Sequence, residues 1–244
     1  MPPETEGGLL PSPDTLYGEH MMNGCRAVCF DMDGTLLDTK VDYGRMASLI
    51  LERLAEAGVP QELLDGRKGY KFNVDRAFEW MMKNRSDSEI QEVSDSVAKA
   101  ARDLEMERVD EARPFPGVPE MLAEVRVKGY RTGVLTRGCR EYAETAMRIA
   151  GVDGYIDAMV CRDDYPEVDA KPSPVAMGHM ADALGVRPDE ILYVGDHKMD
   201  WMCARDASAK FVAVTSGTFT REQWLAEDPE MVILDDCSGI SGMI

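Results

Sequence analysis

No apolar run in this 244-residue chain approaches the roughly 20 residues that cross a bilayer, so no membrane-spanning helix is expected. The N-terminus has neither a basic stretch nor a long apolar segment, and a secretory leader is not expected either. Positive charge is scarce. Lys and Arg number 27 against 45 Asp and Glu, for a formal net charge of −18. Nothing resembles a basic stripe, which excludes a general nucleic-acid binder. Cysteine chemistry is thin as well. Cys25, Cys29, Cys139, Cys161, Cys203 and Cys237 form no C-x-x-C pair and have no partnering histidines. They read as reduced thiols, mostly small buried apolar residues, with a zinc site as the lesser reading. These absences together describe a soluble cytoplasmic protein, monomer or homodimer, with no membrane or nucleic-acid partner.

The chain is long enough to bury a sizeable core, and its apolar fraction of 44% is ordinary for a globular protein. Residues 1–24 hold four prolines and few large apolar side chains, which predicts a flexible tail. From Arg26 onward, short apolar runs alternate with helical patterns. Strands are expected at 26–30, 131–136, 156–160, 190–194, 210–214 and 231–234. Helices are expected at 118–128, 139–150, 173–184 and 199–206. Near-continuous apolar strands separated by amphipathic helices predict an α/β fold, a Rossmann-like parallel sheet with helices on both faces.

The stretch from about 40 to 112 breaks this rhythm, since it holds no good strand. Met46, Leu49, Ile50, Leu54 and Ala57 give one helical face, and 72–83 and 88–108 read as further helices. The pattern stops at ARPFPG, where Pro114 and Pro116 cannot continue a helix. The expected organisation is therefore an α/β core of residues 25–38 and 113–244, with a small all-helical cap of residues 39–112. Such a cap suits the carboxyl edge of the sheet, where open α/β folds bind ligands.

That edge carries the chemistry. Strand 26–30 ends in FDMDGT, with Asp31 and Asp33 two residues apart. Strand 131–136 ends in Thr136 and Arg137, AKPSP holds Lys171, and strand 190–194 runs into GDHKMD with Asp196, His197 and Asp200. In a parallel sheet these ends share one side. Carboxylates gathered there repel one another unless a cation joins them or some are protonated. A few hard oxygen ligands suit Mg²⁺, and a threonine hydroxyl and a lysine ammonium suit phosphoryl oxygens. Each residue also has a plainer use. D-x-D-G is good turn chemistry, Lys171 could be a loop lysine, and Thr136 or Asp200 could cap a helix. His197 reads as a surface residue and His179 as structural. Trp80, Met81 and Met82 read as helix packing first.

DMDGT at 31–35, Thr136, Lys171 in AKPSP and GDHKMD at 195–200 together resemble the four motifs of the haloacid dehalogenase superfamily of phosphotransferases, in the expected order. The resemblance runs from Arg26 to about Asp235 and includes a type 1 cap, closest to the phosphoglycolate-phosphatase-like branch. It implies that Asp31 is the nucleophile and that Asp33 is the general acid and then base. It implies that Mg²⁺ is held by Asp31, by Asp33 through its backbone carbonyl, and by Asp196. Thr136 and Lys171 would bind the phosphoryl group, with Asp200 orienting Lys171 from one layer out. Arg137 stands where many members carry Asn, and could contact phosphate or a second anionic group. The implied activity is a Mg²⁺-dependent phosphatase for a small phosphorylated metabolite, of the phosphoglycolate or sugar-phosphate class. The alternatives are a phosphomutase of the β-phosphoglucomutase type or a non-enzymatic binding protein on the same scaffold. Asp33 disfavours a dehalogenase or a phosphonatase, which lack the second aspartate.

Overall fold

The computed structural model describes residues 21–244. Residues 1–20, most of the segment expected as a tail, lie outside the described residues. Of the remainder of that segment, Met22 is buried against the core, and Lys210 Nζ donates to the Met21 carbonyl at 2.8 Å. The chain thus packs from a few residues before the first strand.

Six parallel strands build the main sheet. They are β1 (Ala27–Phe30), β4 (Arg131–Leu135), β5 (Ala158–Val160), β6 (Ile191–Gly195), β7 (Lys210–Val214) and β8 (Ile233–Leu234), in the spatial order β5-β4-β1-β6-β7-β8. All six expected strands are present, with β5 and β8 shorter than the sequence suggested. The order reverses at β1. The chain runs outward through β4 and β5, then returns to the other side of β1 with β6. Ligands of open α/β sheets bind at such a switch point, beyond the carboxyl ends of the strands.

Residues alternate across β1, which explains why it is apolar throughout. Val28 and Phe30 join one core cluster with α4 (Val118–Val127) and α5 (Arg140–Ala150). Ala27 and Cys29 join the opposite cluster with α6 (Pro174–Leu184), α7 (Lys198–Asp206) and α8 (Arg221–Glu227). Every residue of β1 is fully buried. A strand covered on both faces needs no polar side, so the apolar run is the signature of a central parallel strand.

Between Asp38 and Arg113 the chain forms α1 (Tyr43–Glu56), α2 (Tyr70–Asn84) and α3 (Asp87–Met106). These have a hydrophobic centre of their own, in which Met46, Ile50 and Leu54 of α1 meet Val74, Ala77 and Met81 of α2 and Val97, Ala101 and Leu104 of α3. The spacing of three and four residues is what an amphipathic helix needs. Asp42 caps α1, and α3 opens with a capping box between Ser86 and Glu89, as S-x-x-E encodes. One feature had no sequence signal. Two-residue strands β2 (Leu37–Asp38) and β3 (Arg113–Pro114) pair antiparallel, so the chain enters and leaves the helical layer side by side. Two residues are too few to show an alternating pattern. No described helix is long and apolar enough to cross a membrane.

Candidate active site

The strand ends bring together residues that lie far apart in the chain. Asp31 follows β1, Asp196 follows β6, and Lys171 arrives on the loop before α6. Lys171 Nζ donates to Asp31 Oδ1 at 2.6 Å, to Asp200 Oδ1 at 2.5 Å and to Tyr193 Oη at 2.9 Å. All three donor positions of the ammonium are used, so its place is fixed. Tyr193 completes the group by donating to the Leu135 carbonyl at 2.9 Å. Asp200 serves two ends at once, because its Oδ2 accepts from the His197 backbone N–H at 3.0 Å. Asp200 therefore closes the start of α7 and holds the lysine. His197 is half-buried and caps α7, its Nδ1 accepting from Met199 N.

Asp31, Asp196 and Asp200 are buried, and each offers a carboxylate oxygen within 4.8 Å of the others. Against these three stands one ammonium. With all three ionised, two negative charges are left over in a dehydrated place, which suits a divalent cation with oxygen ligands. Backbone packs tightly around Asp196. Its Oδ2 accepts from Thr218 N at 2.6 Å, and its Oδ1 accepts from Thr35 Oγ1 at 3.3 Å. A Cβ on Gly217 would fall 2.1 Å from Asp196 Oδ2, and one on Gly34, where φ is +80°, would fall 2.8 Å from it. Only glycine leaves Asp196 this room.

The carboxylate of Asp33 stands apart from that trio. Its Oδ1 accepts from Thr39 Oγ1 and from Tyr142 Oη, each at 2.6 Å. Burial pushes Asp31 well above the ordinary carboxylate range, with Lys171 opposing and Asp200 and Asp196 adding to the rise. Burial also raises Asp33, although its bonds from Thr39 and Tyr142 pull downward. Asp196 is raised by burial first and then by the charge of Asp200. Burial alone would lower Lys171, but Asp200 and Asp31 outweigh it and hold the amine in its charged form.

Thr136 is buried beside the cluster, and its Oγ1 accepts from Gly138 N at 2.9 Å. Arg137 behaves differently from the expectation of a phosphate contact. Its guanidinium donates to the Lys171 carbonyl and to Glu167 Oε1, each at 2.8 Å, and to Tyr70 Oη at 3.3 Å. It also lies over the Tyr70 ring. Arg137 thus ties the lysine loop to the helical layer. Nearby, Glu105 of α3 meets Arg162 in a two-pronged pair at 2.6 and 3.1 Å, almost wholly buried. Glu105 also accepts from Cys139 N.

Tyr142, Tyr193, Thr39, Thr218, Glu105 and Glu167 were not singled out from sequence. Two left a trace. Tyr193 is the one residue with a polar tip in an otherwise aliphatic strand, and such a tip needs a partner when buried. Glu105 falls on the apolar stripe of α3, four residues after Ala101. The others have no local signal.

A cavity of about 610 Å³ opens above the cluster, between the sheet edge and the helical layer. Asp31, Asp33, Thr136, Lys171 and Asp196 line its floor, and Tyr43, Tyr70 and Phe72 line its far side. The profile of the haloacid dehalogenase-like hydrolases matches residues 28–214. The chain is 30% identical over 218 residues to the N-acetylmuramic acid 6-phosphate phosphatase of Pseudomonas aeruginosa, covering 86% of this chain and 90% of that protein. It is 29% identical over 194 residues to the phosphoglycolate phosphatase of Nitrosospira multiformis, covering 79% and 84%. Its fold is similar to that of CbbY from Rhodobacter sphaeroides, solved in complex with phosphate, with a TM-score of 0.59, 22% identity and coverage of 90% and 99%.

Proposed function

The chain belongs to the haloacid dehalogenase-like hydrolases, and from that premise we propose that it is a Mg²⁺-dependent phosphatase acting on a small phosphorylated metabolite. The observation that carries the reading is the Asp31–Lys171–Asp200 group beside Asp196 on the floor of the cavity. Asp31 and Asp196, with the backbone carbonyl of Asp33, would hold the ion. Asp200 is close enough to share in this or to act through Lys171. A bound divalent ion would supply positive charge opposite the phosphoryl oxygens.

The remaining steps belong to the chain. Lys171 fixes Asp31 by its Oδ1, and the other carboxylate oxygen is the nucleophile. It forms a bond to phosphorus as the ester P–O bond breaks, giving an aspartyl-phosphate on Asp31. The departing alkoxide takes a proton from Asp33, whose raised pKa favours the protonated form that this step needs. Asp33, now a carboxylate, takes a proton from the water that attacks phosphorus. The bond to Asp31 then breaks, and phosphate leaves. Thr136 would donate its hydroxyl hydrogen to the phosphoryl oxygens, and Lys171 would act on them through its positive charge. Arg137 fits a positioning role, since it grips the backbone carbonyl of Lys171.

In this reading residues 39–112 are the cap, and 25–38 with 113–244 the core. The cap excludes bulk water from the intermediate and selects the leaving group. Six free cysteines support a reducing, cytoplasmic setting. The test is phosphate release from p-nitrophenyl phosphate by the purified protein with Mg²⁺, compared with Asp31→Asn. Release that survives the substitution would overturn the assignment of the nucleophile.

A further inference from the structure

Tyr193 is wholly buried in the middle of β6 and does not line the cavity, so it touches no substrate. It is nevertheless bonded into the reacting group. Its Oη accepts from Lys171 Nζ at 2.9 Å, donates to the Leu135 carbonyl at 2.9 Å and lies 3.1 Å from Asp200 Oδ1. A phenol has one hydrogen, and giving it to either acceptor leaves the oxygen open to the lysine. Burial and the nearby carboxylates hold the hydroxyl well above its ordinary pKa, so it keeps that hydrogen.

Reaching Leu135 from β6 means crossing β1. Cys29 of β1 is level with Tyr193 on one side and with Gly133 of β4 on the other. Neighbouring strands lie about 4.8 Å apart, so β4 and β6 are separated by about 10 Å. Cys29, Leu135 and Tyr193 belong to one core cluster, on the same face of the sheet. A tyrosine can span that width where the residues level with it are small, as Cys29 and Gly133 are. A phenylalanine would fill the same apolar place but would bring no oxygen to the buried ammonium.

The hydroxyl limits what Lys171 can do. An ammonium has three hydrogens, and Asp31, Asp200 and Tyr193 take all of them. Two go to carboxylates. The third goes to a neutral oxygen, and it is the one for which a phosphoryl oxygen can compete. Turning that hydrogen towards phosphate would draw Nζ away from Asp31. Resting on the phosphatase reading above, we infer that Tyr193 is a positioning residue: it keeps the third hydrogen of Lys171 from the phosphoryl group, which holds the ammonium on Asp31 and leaves free phosphate weakly bound. Lys171 then attracts the phosphoryl oxygens by charge without gripping them. Turnover needs both effects, because phosphate that stays bound blocks the next substrate.

The experiment measures kcat for p-nitrophenyl phosphate and the competitive Ki of inorganic phosphate, using the full chain with Mg²⁺, in the wild type, Tyr193→Phe and Phe211→Leu. Phe211 packs beside the Tyr193 ring, with centroids 6.2 Å apart, and takes no part in the polar group. Tyr193→Phe should lower kcat by about tenfold and tighten the Ki of phosphate by about tenfold, the scale of one hydrogen bond to a charged group. Phe211→Leu should leave both within about twofold. The opposite signs are the signature, since a site that is merely loosened loses turnover and phosphate affinity together. An unchanged kcat in Tyr193→Phe, or a Ki that stays the same or rises, overturns the inference and leaves the phosphatase reading standing. No phosphate release by the wild type overturns both. Should Tyr193→Phe not fold, a crystal structure of the wild type with Mg²⁺ and inorganic phosphate decides. Lys171 Nζ still bonded to Tyr193 Oη is the expected result, and Nζ turned from it onto phosphate overturns the inference.

Discussion

Two groups of charge lie against the same cavity, and they are built on opposite terms. Around Lys171, three carboxylates face one ammonium. At the junction with the helical layer, Arg137 and Lys71 are met by Glu167 and Asp75, and Arg162 by Glu105. The second group is self-sufficient. Each of its charges has a partner within the fold, and for Arg162 and Glu105, the nearly wholly buried pair, burial requires it. The first is not, and its surplus is a demand on something from outside. Unbalanced buried charge marks where we place the chemistry. Balanced charge ties the helical layer to the sheet edge.

The sharpest way to break this contrast is to touch the unbalanced group. Asp31→Asn should lower kcat for phosphate release by on the order of a thousandfold or more, because it removes the proposed nucleophile. The melting temperature should change little or rise, since a neutral amide relieves repulsion with Asp196 and Asp200. A variant that keeps its activity would place the reaction elsewhere.

The balanced group should respond in stability. Glu105→Ala leaves Arg162 buried without its partner and should cost about 3–5 kcal/mol, read by chemical denaturation. Glu105→Leu with Arg162→Met should recover part of that loss, because two missing charges cost less than one orphan. If the double variant is no better than the single one, the pair is not acting through charge.

Acid titration separates the groups further. In the metal-free protein, Asp31, Asp33 and Asp196 bind protons more tightly when folded than when unfolded. Between the ordinary carboxylate pKa and the raised one, the folded state carries more protons, so stability falls as pH rises through that window. Melting curves with EDTA from about pH 4 to pH 8 should show this decline. Mg²⁺ should oppose it at the upper end, where the carboxylates are ionised and free to bind. A profile that is flat with EDTA and unmoved by Mg²⁺ would mean that the carboxylates are already satisfied within the fold.

The smallest effect expected is at Tyr142. Its hydroxyl donates to Asp33 and favours the charged form, so Tyr142→Phe should raise the pKa of Asp33 further. The pH–rate profile should shift upward by a fraction of a unit. An unmoved profile would make the contact structural only.

Much of the candidate site could be read in the sequence because its residues stand at strand ends. A strand buried on both faces leaves an apolar run, and the polar residues that follow it stand out. That is why Asp31, Asp33, Thr136 and Asp196 were visible, each at the foot of β1, β4 or β6. The helices were visible for a similar reason, since Met46, Ile50 and Leu54 repeat at the pitch of a helix. The partners were not. Tyr142 lies 109 residues from Asp33, and nothing in its own neighbourhood points to it. The ribbon of β2 and β3 was missed because each strand has two residues. Arg137 could be seen, but not that its two terminal nitrogens were already taken while its Nε was left without a partner.

The sequence by itself determined the alternation of strands and helices, the place of the helical insert, and which residue types collect at the carboxyl edge. These follow from local periodicity and from where polarity interrupts it. Only the tertiary structure decided which charges are matched. Pairing depends on distances between residues far apart in the chain, such as the 140 residues between Asp31 and Lys171. Coulomb forces act through space and not along the sequence.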